Sequence, residues 1–524
     1  MSDNKGSYYI TTPIYYVNDK PHLGHTYTTV ACDVLARFKR LDGFDVMFLT
    51  GTDEHGQKIK QAADAKGVSP QEHTDFFAKN FLDLADVMNI SNDDFIRTTE
   101  ERHKKAAQAL WSKLQDNGQI YKDSYSGWYA VRDEAYYAED ELTTNEDGKK
   151  IAPSGAECEW MEEESYFFKL SAWEEPLLKY YEDHPDFIMP QSRKNEVVSF
   201  VKGGLRDLSI SRTAFDWGVK VPSDEKHVMY VWIDALTNYI TALGYPDINA
   251  EKFKEFWPAD VHMVGKDIIR FHAVYWPAFL MAADLPLPKR IFAHGWWTIE
   301  GEKMSKSVGN VISPYDLIEK YGVDASRYFM LREVPFGNDG DFSEEQAVTR
   351  INAELANGLG NLAQRSLSMI HKNCEGVFPE QGALTAEDSA LIALIRDDLM
   401  GHMRRELDVQ KFHEALRYFK MAVDAANGYI DEQAPWALKK NDPPRMQAVL
   451  YVLAECIRCL GLAIQPFVPS AAEKLLDQLK IPADQRSFAH ITADYAIKGG
   501  VEIDKPEGVF PRIERSEAKE GQAA

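Results

Sequence analysis

Strand and helix alternate along this chain from residue 8, stop alternating near residue 119 and resume near residue 230. A parallel sheet must therefore be assembled from two separated stretches of sequence. In the first, residues 1–118, the aromatic-rich apolar run at 8–16 reads as a buried strand. After a turn at residues 18–25, Ala31, Val34, Leu35, Phe38 and Leu41 recur at helical spacing, and Gly43 ends the helix. Residues 45–51 read as a second strand, 54–67 as a helix closed by Gly67, and 100–117 as a further helix stopping at Gly118. The pattern resumes over residues 230–342, with apolar runs at 229–240 and 261–283, a strand at 290–295 and a hairpin at 296–303. Between them, residues 119–229 hold short aromatic-rich strands around the acidic turn 143–150, an inserted mixed α/β domain.

From residue 343 to 510 the chain reads as all helical, with amphipathic stretches at 353–371, 386–406, 408–429, 445–464 and 470–479. Short Gly/Pro breaks separate most of them, as in an all-α helix bundle. Residues 511–524 are polar and are expected to be a disordered tail. At 524 residues, several domains are required. No uninterrupted apolar run reaches the ~18–20 residues that span a bilayer, and the N-terminus lacks a signal-peptide pattern. The expectation is a cytoplasmic protein without a membrane partner. Five scattered cysteines, Cys32, Cys158, Cys374, Cys456 and Cys459, suit a reducing compartment. Cys456 and Cys459 lie in an apolar helical run with no second Cys or His pair, which fits small core residues rather than metal ligands. A formal charge of −23 argues against nucleic-acid binding through the total, but phosphate needs only a local basic face.

Two motifs carry chemistry. Pro21-His22-Leu23-Gly24-His25 sits between the first strand and its helix, where unpaired backbone N–H groups and the helix dipole suit a phosphate chain. Gly24 permits close approach, and the two imidazoles can donate to phosphate oxygens. Lys303-Met304-Ser305-Lys306-Ser307 follows the hairpin, and its two lysines and two hydroxyls suit a polyphosphate whose charge rises during displacement. Alone, either would be a loop or a solvated basic turn.

In this order, on a split parallel sheet, they resemble the HIGH and KMSKS signatures of class I aminoacyl-tRNA synthetases, with Leu23 in place of Ile. Over nearly the whole chain the resemblance narrows to the methionyl-tRNA synthetases: ITTPIYYVNDKPHLGH, FLTGTDEHG, YVWIDALTNY, VGKDIIRFHAVYWPA, HGWWTIEGEKMSKS and DEQAPW all look like that family's. The insert also fits, because the isoleucine, valine and leucine enzymes carry a much larger editing domain there. The resemblance implies a Rossmann-like catalytic domain split by the insert and followed by a helical anticodon-binding domain. It implies ATP-dependent activation of L-methionine, the carboxylate attacking the α-phosphorus of Mg-ATP, then transfer to the terminal ribose of tRNA(Met), initiator tRNA included.

By that resemblance Ile14, Tyr16, Trp232, Ala235, Leu236, Tyr239, Phe271 and His272 line the methionine pocket, and Asp53 holds its ammonium group. His22, Gly24 and His25 meet ATP, with Lys303, Met304, Ser305, Lys306 and Ser307 closing over it, and Asp267 and His294 near the nucleotide. A helix N-cap is the plain alternative for Asp267. Arg212 matches a position near the substrate, with a structural salt bridge as its alternative. Asn361, Arg365 and Trp436 match the anticodon readers; Asn361 and Arg365 share a helix face, and Pro435-Trp436 alone would read as a helix start. The chain departs from relatives with zinc knuckles, since residues 127–168 hold only Cys158. One thiolate cannot build a tetrahedral site, so no structural zinc is expected. Some family members also have a C-terminal oligonucleotide-binding domain that dimerises them; without one here, a monomer is expected. The alternatives are a non-catalytic tRNA-binding paralogue, a class I synthetase for another apolar amino acid, and a small-molecule adenylyltransferase.

Overall fold

The computed structural model describes residues 4–133, 135–299, 302–303 and 312–514, with the backbone alone at Tyr125, Ala135, Glu162, Glu163, Glu302 and Lys303. The chain divides into two compact units: residues 7–21 with 46–294, and the described residues of 1–6, 22–45 and 295–524.

The first unit is built on a seven-stranded sheet in the order Ile188–Met189, Ile291–His294, Val261–Gly265, Ser7–Thr11, Asp45–Asp53 and Tyr15–Tyr16, with Asp94–Arg97 also on strand Asp45–Asp53. The registered pairs are parallel. The strand expected over residues 8–16 is two pieces, because Pro13 has no N–H for a ladder. At the break, the Thr12 hydroxyl lies 2.7 Å from the Pro13 carbonyl and 2.8 Å from Thr50 Oγ1. Gly67 closes helix Gln57–Lys66 in the left-handed region, φ 69°, as its position foretold. Helix Pro70–Val87 and strand Asp94–Arg97 escaped the periodicity reading. The helix's local signal is Ser69, whose hydroxyl accepts from the Glu72 N–H while Glu72 accepts from the Ser69 N–H, with proline in the first turn.

Within residues 119–229 the strands Ile120–Ala130 and Glu157–Phe168 form a long antiparallel ribbon. Ile188–Met189, in the same span, is the edge strand of the parallel sheet and pairs with Ile291–Phe292. A two-residue strand gives no periodic signal, so the insert boundary drawn from sequence runs past it. Cys158 is buried among Ala130, Ala152 and Ala156, an apolar setting. Among the described residues, the three-membered group of metal-type ligands is Glu164, Asp224 and His227. The Lys122 ammonium already bridges those two carboxylates, at 2.6 and 2.9 Å.

The second unit joins helix Leu23–Leu41 to the C-terminal helices. Helices Pro314–Tyr321 and Val323–Glu333 precede a continuous helical run over residues 344–373 with π-helical geometry at Ile351–Gly360. A second run, residues 386–407, has the same geometry at Ala393–Asp398. Phe412–Gln433, Pro443–Ile464 and Pro469–Gln478 complete the bundle close to their expected places. Pro443–Ile464 is long and apolar enough to cross a membrane, yet it is buried in the bundle. There Cys456 and Cys459 are core residues beside the buried Arg458–Glu455 pair, 2.7 Å. Arg327, fully buried, donates to Asp33 Oδ2 at 2.5 Å and to the Pro466 and Phe467 carbonyls, tying helix Leu23–Leu41 to the helices behind it.

Candidate active site

Helix Leu23–Leu41 begins with a cap made of two imidazoles. His22 is the N-cap; its Nδ1 accepts from the Gly24 N–H at 3.0 Å, while its own N–H donates to His25 Nδ1 at 3.1 Å. The rings lie 4.0 Å apart. Because Nδ1 accepts in both, each neutral ring carries its proton on Nε2, a donor. Desolvation, with His22 beside it, holds His25 well below the ordinary histidine range, so it is neutral at pH 7. Gly24 follows from the cap: a Cβ there would lie 2.9 Å from His22 Cε1. Two neutral N–H donors at a dipole-positive terminus suit an anion.

In the same unit, strand Trp297–Ile299 pairs antiparallel with Glu302–Lys303, the expected hairpin, and parallel with Gly340–Phe342. The Tyr27 ring meets Trp297 edge-on at 5.7 Å, seating the hairpin on the helix that carries His22 and His25. Met304, Ser305, Lys306 and Ser307 lie outside the described residues; Lys303 is placed by its backbone alone.

In the sheet unit, three strands end at candidate residues and a fourth ends two residues before one. Tyr16 registers beside Asp53, and Gly265, two residues before Asp267, beside His294. Carboxyl ends of parallel strands are where open α/β sheets bind ligands. Asp267 is exposed in the turn Lys266–Ile268, whose cap position belongs to Gly265, so the N-cap alternative fails. Trp232, Ala235, Leu236 and Tyr239 fall at helical spacing over Val231–Leu236 and Asn238–Thr241. Trp232 stacks on Phe271 at 3.7 Å and 8° and meets His272 edge-on. Tyr239 donates its hydroxyl hydrogen to His272 Nε2 at 2.7 Å, and His272 Nδ1–H donates to the Ile268 carbonyl at 3.0 Å. Burial pushes His272 down to about 4, so the ring is neutral and the group presents an apolar aromatic wall. Ile14 packs against the same core. Arg212 is buried, donates to Ser209 Oγ at 2.9 Å, and lies over the rings of Tyr230, Tyr136 and Tyr129 at 4.7, 4.9 and 5.5 Å.

In the bundle, Arg365 and Trp436 meet: the guanidinium lies 5.5 Å from the ring centre and 2.7 Å from Asp431 Oδ1. Trp436 is half exposed, at the start of helix Pro435–Asn441, with Pro435 in its first turn. Asn361 and Arg365 share helix Asn361–Asn373.

Three comparisons with known proteins complete this geometry. The family model of class I tRNA synthetases (M) matches residues 8–367, and that of the anticodon-binding domain of methionyl-tRNA ligase matches residues 378–523. The methionine–tRNA ligase of Brucella suis is 58% identical over 97% of this chain and 98% of its own. That of Rhizobium meliloti is 56% identical over 98% and 99%. This chain belongs to the methionyl-tRNA synthetases. Its structure is similar to that of the Mycobacterium tuberculosis methionyl-tRNA synthetase in complex with methionyl-adenylate, with a TM-score of 0.94 and 51% identity over 97% of this chain and 100% of that one. The apo form of that enzyme matches with a TM-score of 0.88. The chain is accordingly a class I methionine–tRNA ligase.

Several polar groups of this synthetase escaped sequence reasoning. Glu54, next to Asp53, is buried and accepts from Arg97 Nε at 2.6 Å, Thr52 Oγ1 at 2.6 Å and Thr99 Oγ1 at 2.5 Å. Asp234, between Trp232 and Ala235, is buried with His55 and His103 on its two oxygens. Behind the Trp436 turn, Arg445 donates to Asp388 and, at 2.6 Å, to Gln433 Oε1. Burial alone pushes the Asp234 carboxyl up, but the two imidazoles outweigh it and hold it at about 2, against 3.8 unperturbed. A depressed carboxylate contributes stability that is present above its unfolded value and lost as pH falls through its folded value. Between about pH 4 and pH 2 Asp234 should account for about 2 kcal/mol of lost stability. Urea unfolding across that range, with Asp234→Asn as reference, checks it; parallel acid limbs would count against it.

Proposed function

We propose that the enzyme makes methionyl-adenylate from L-methionine and Mg-ATP and passes the methionyl group to tRNA(Met), initiator tRNA included. Ile14, Tyr16, Trp232, Ala235, Leu236, Tyr239, Phe271 and His272 take the methionine side chain, and Asp53 its ammonium group. The stacked and edge-on rings suit a polarizable thioether. His22 and His25 donate through Nε2–H to ATP, Gly24 leaves room for them, and Asp267 and His294 serve the nucleotide. Lys303 and Lys306, with Met304, Ser305 and Ser307, neutralise the leaving pyrophosphate. No side-chain nucleophile is needed; catalysis is positioning and charge stabilisation. Arg212 acts as a structural post, since three tyrosine rings already occupy its guanidinium.

The observation that carries this reading is the reciprocal imidazole cap, which fixes two neutral donors at a helix start. Residues 1–118 and 230–342, with the edge strand Ile188–Met189, act in the catalytic domain, the rest of 119–229 as the insert and 343–510 in anticodon binding; the anticodon-domain match over 378–523 supports a role of the helical part in tRNA binding. No zinc is required, given the apolar setting of Cys158. The enzyme works as a cytoplasmic monomer, its five cysteines free. Exchange of labelled pyrophosphate into ATP, run with each of the twenty amino acids and no tRNA, tests the reading. Exchange with methionine alone supports it, and none with any amino acid in folded protein defeats it.

Asn361, Arg365 and Trp436 read the anticodon, with Trp436 stacking a base. Stacking is worth ~1–3 kcal/mol per base, so Trp436→Ala should lower kcat/KM for tRNA charging roughly 5- to 150-fold. Tyr429, Asp388 and Arg445 bond to one another through groups other than Trp436, so the fold should hold and tRNA-independent exchange should not change. Equal losses in both assays would mean that Trp436 supports the fold instead.

A further inference from the structure

Asp234 has no exposed atom, yet it lies between two groups of residues assigned to methionine. On its own helix, Trp232 is two residues before it and Ala235 and Leu236 follow it. Its Oδ2 accepts from His55 Nδ1 at 2.7 Å, and its Oδ1 from His103 Nε2 at 2.8 Å. His55 stands two residues after Asp53 in the loop that ends strand Asp45–Asp53. Between them, Glu54 is fixed by Arg97, Thr52 and Thr99, and its carbonyl accepts from Trp217 Nε1 at 2.6 Å. The loop is thus clamped at Glu54 from one side and tied at His55 to Asp234. His103, on helix Glu101–Asp116, holds the second oxygen and meets Thr241 Oγ1 at 3.3 Å, so the carboxylate cannot follow His55 if the loop moves.

We propose that Asp234 is a positioning residue for the known reaction, setting the distance between the ammonium-binding carboxylate of Asp53 and the side-chain cup that begins at Trp232. This rests on the proposed roles of Asp53, Trp232, Ala235 and Leu236. A buried carboxylate bonded to two imidazoles is satisfied at one spacing of the elements it joins. A site 1 Å too loose loses much of its binding. In Asp234→Asn the shape is kept, but one imidazole N–H faces an amide N–H₂ unless its tautomer changes. The loop carrying Asp53 is then released from the Trp232 helix.

The test is pyrophosphate exchange by Asp234→Asn, with KM measured separately for methionine and for ATP. Loss of one charge-assisted hydrogen bond corresponds to roughly a 10- to 100-fold rise in the methionine KM. The ATP KM should stay within about twofold, since the groups that meet ATP are not held by this carboxylate. An unchanged methionine KM in folded protein overturns the proposal, and so does an equal rise in both constants, which is what a purely structural role predicts. Asp53→Asn serves as the control. If it leaves the methionine KM unchanged, the reading of the site itself has failed; if it raises that KM while Asp234→Asn does not, the positioning role alone has failed. Should Asp234→Asn not fold, His55→Gln, which breaks one arm of the link, must show the same separation of the two constants or the proposal falls.

Discussion

Replacing His22 with asparagine should leave the thermal midpoint nearly unchanged while lowering the rate of pyrophosphate exchange by roughly two to three orders of magnitude. The two effects separate because His22 has two tasks on two nitrogens. Nδ1 caps the helix by accepting the Gly24 N–H, and an asparagine side-chain oxygen is among the best replacements for that acceptor. Nε2–H, on the far side of the ring, is the proposed donor to ATP, and no asparagine atom reaches its position. The expected factor is that of removing one preorganised donor from a developing oxyanion. His22→Ala should lose the same activity and also destabilise the helix by about 1 kcal/mol, the cost of a missing cap. Calorimetry beside exchange kinetics distinguishes them. If His22→Asn exchanges at the wild-type rate, His22 is only a cap and the polyphosphate assignment of this motif is wrong.

The second large effect is on stability. Asp33 and Arg327 are both completely buried, 2.5 Å apart, in the unit that carries the His22–His25 cap. Removing one member of such a pair strands the other charge where water cannot reach it, which typically destabilises by about 3–5 kcal/mol. Arg327→Met leaves Asp33 with Arg37, 2.8 Å away, and should sit at the mild end. Asp33→Leu takes from Arg327 its buried carboxylate and leaves neutral carbonyl acceptors such as those of Pro466 and Phe467, and should sit at the severe end. Combining the two should recover most of the loss, because an apolar pair of similar volume needs no desolvation of charge. Urea midpoints of the three variants provide the check. A double variant no more stable than Asp33→Leu would show that packing around the pair, not its charge, dominates there.

Much of this was legible in the sequence because its causes are local. A glycine after an amphipathic run stopped helix Gln57–Lys66 at Gly67, and the spacing of apolar residues placed Pro443–Ile464 within two residues of its true start. Asp53 and His294 were singled out by family resemblance rather than by local pattern, and each stands at the end of a parallel strand. Two misses were local as well. Pro13 divided a run that hydropathy reads as one strand, and the Ser69–Glu72 capping box opened a helix whose buried Phe77, Phe81 and Leu84 are diluted by charged neighbours.

The larger misses join residues far apart in the chain. His55 and Asp234 are 179 positions apart, His103 and Asp234 131, and Asp33 and Arg327 294. In the sequence each is an ordinary polar residue on an apolar helix or after a strand, and nothing in its neighbours names its partner. Arg365 and Trp436 were singled out separately, but only the packing of helix Asn361–Asn373 against the turn at residue 434 shows them in contact. The sequence by itself determined most of the strands and helices and singled out the short motifs proposed to meet phosphate. Caps, glycine stops and periodicity act within a few residues, where the chain has little freedom to do otherwise. Tertiary structure alone decided which buried charges are paired and that Asp234, on the helix of Trp232, meets His55 in the loop after Asp53. Those pairs exist only once folding brings distant segments together and burial removes the water that would otherwise solvate each charge.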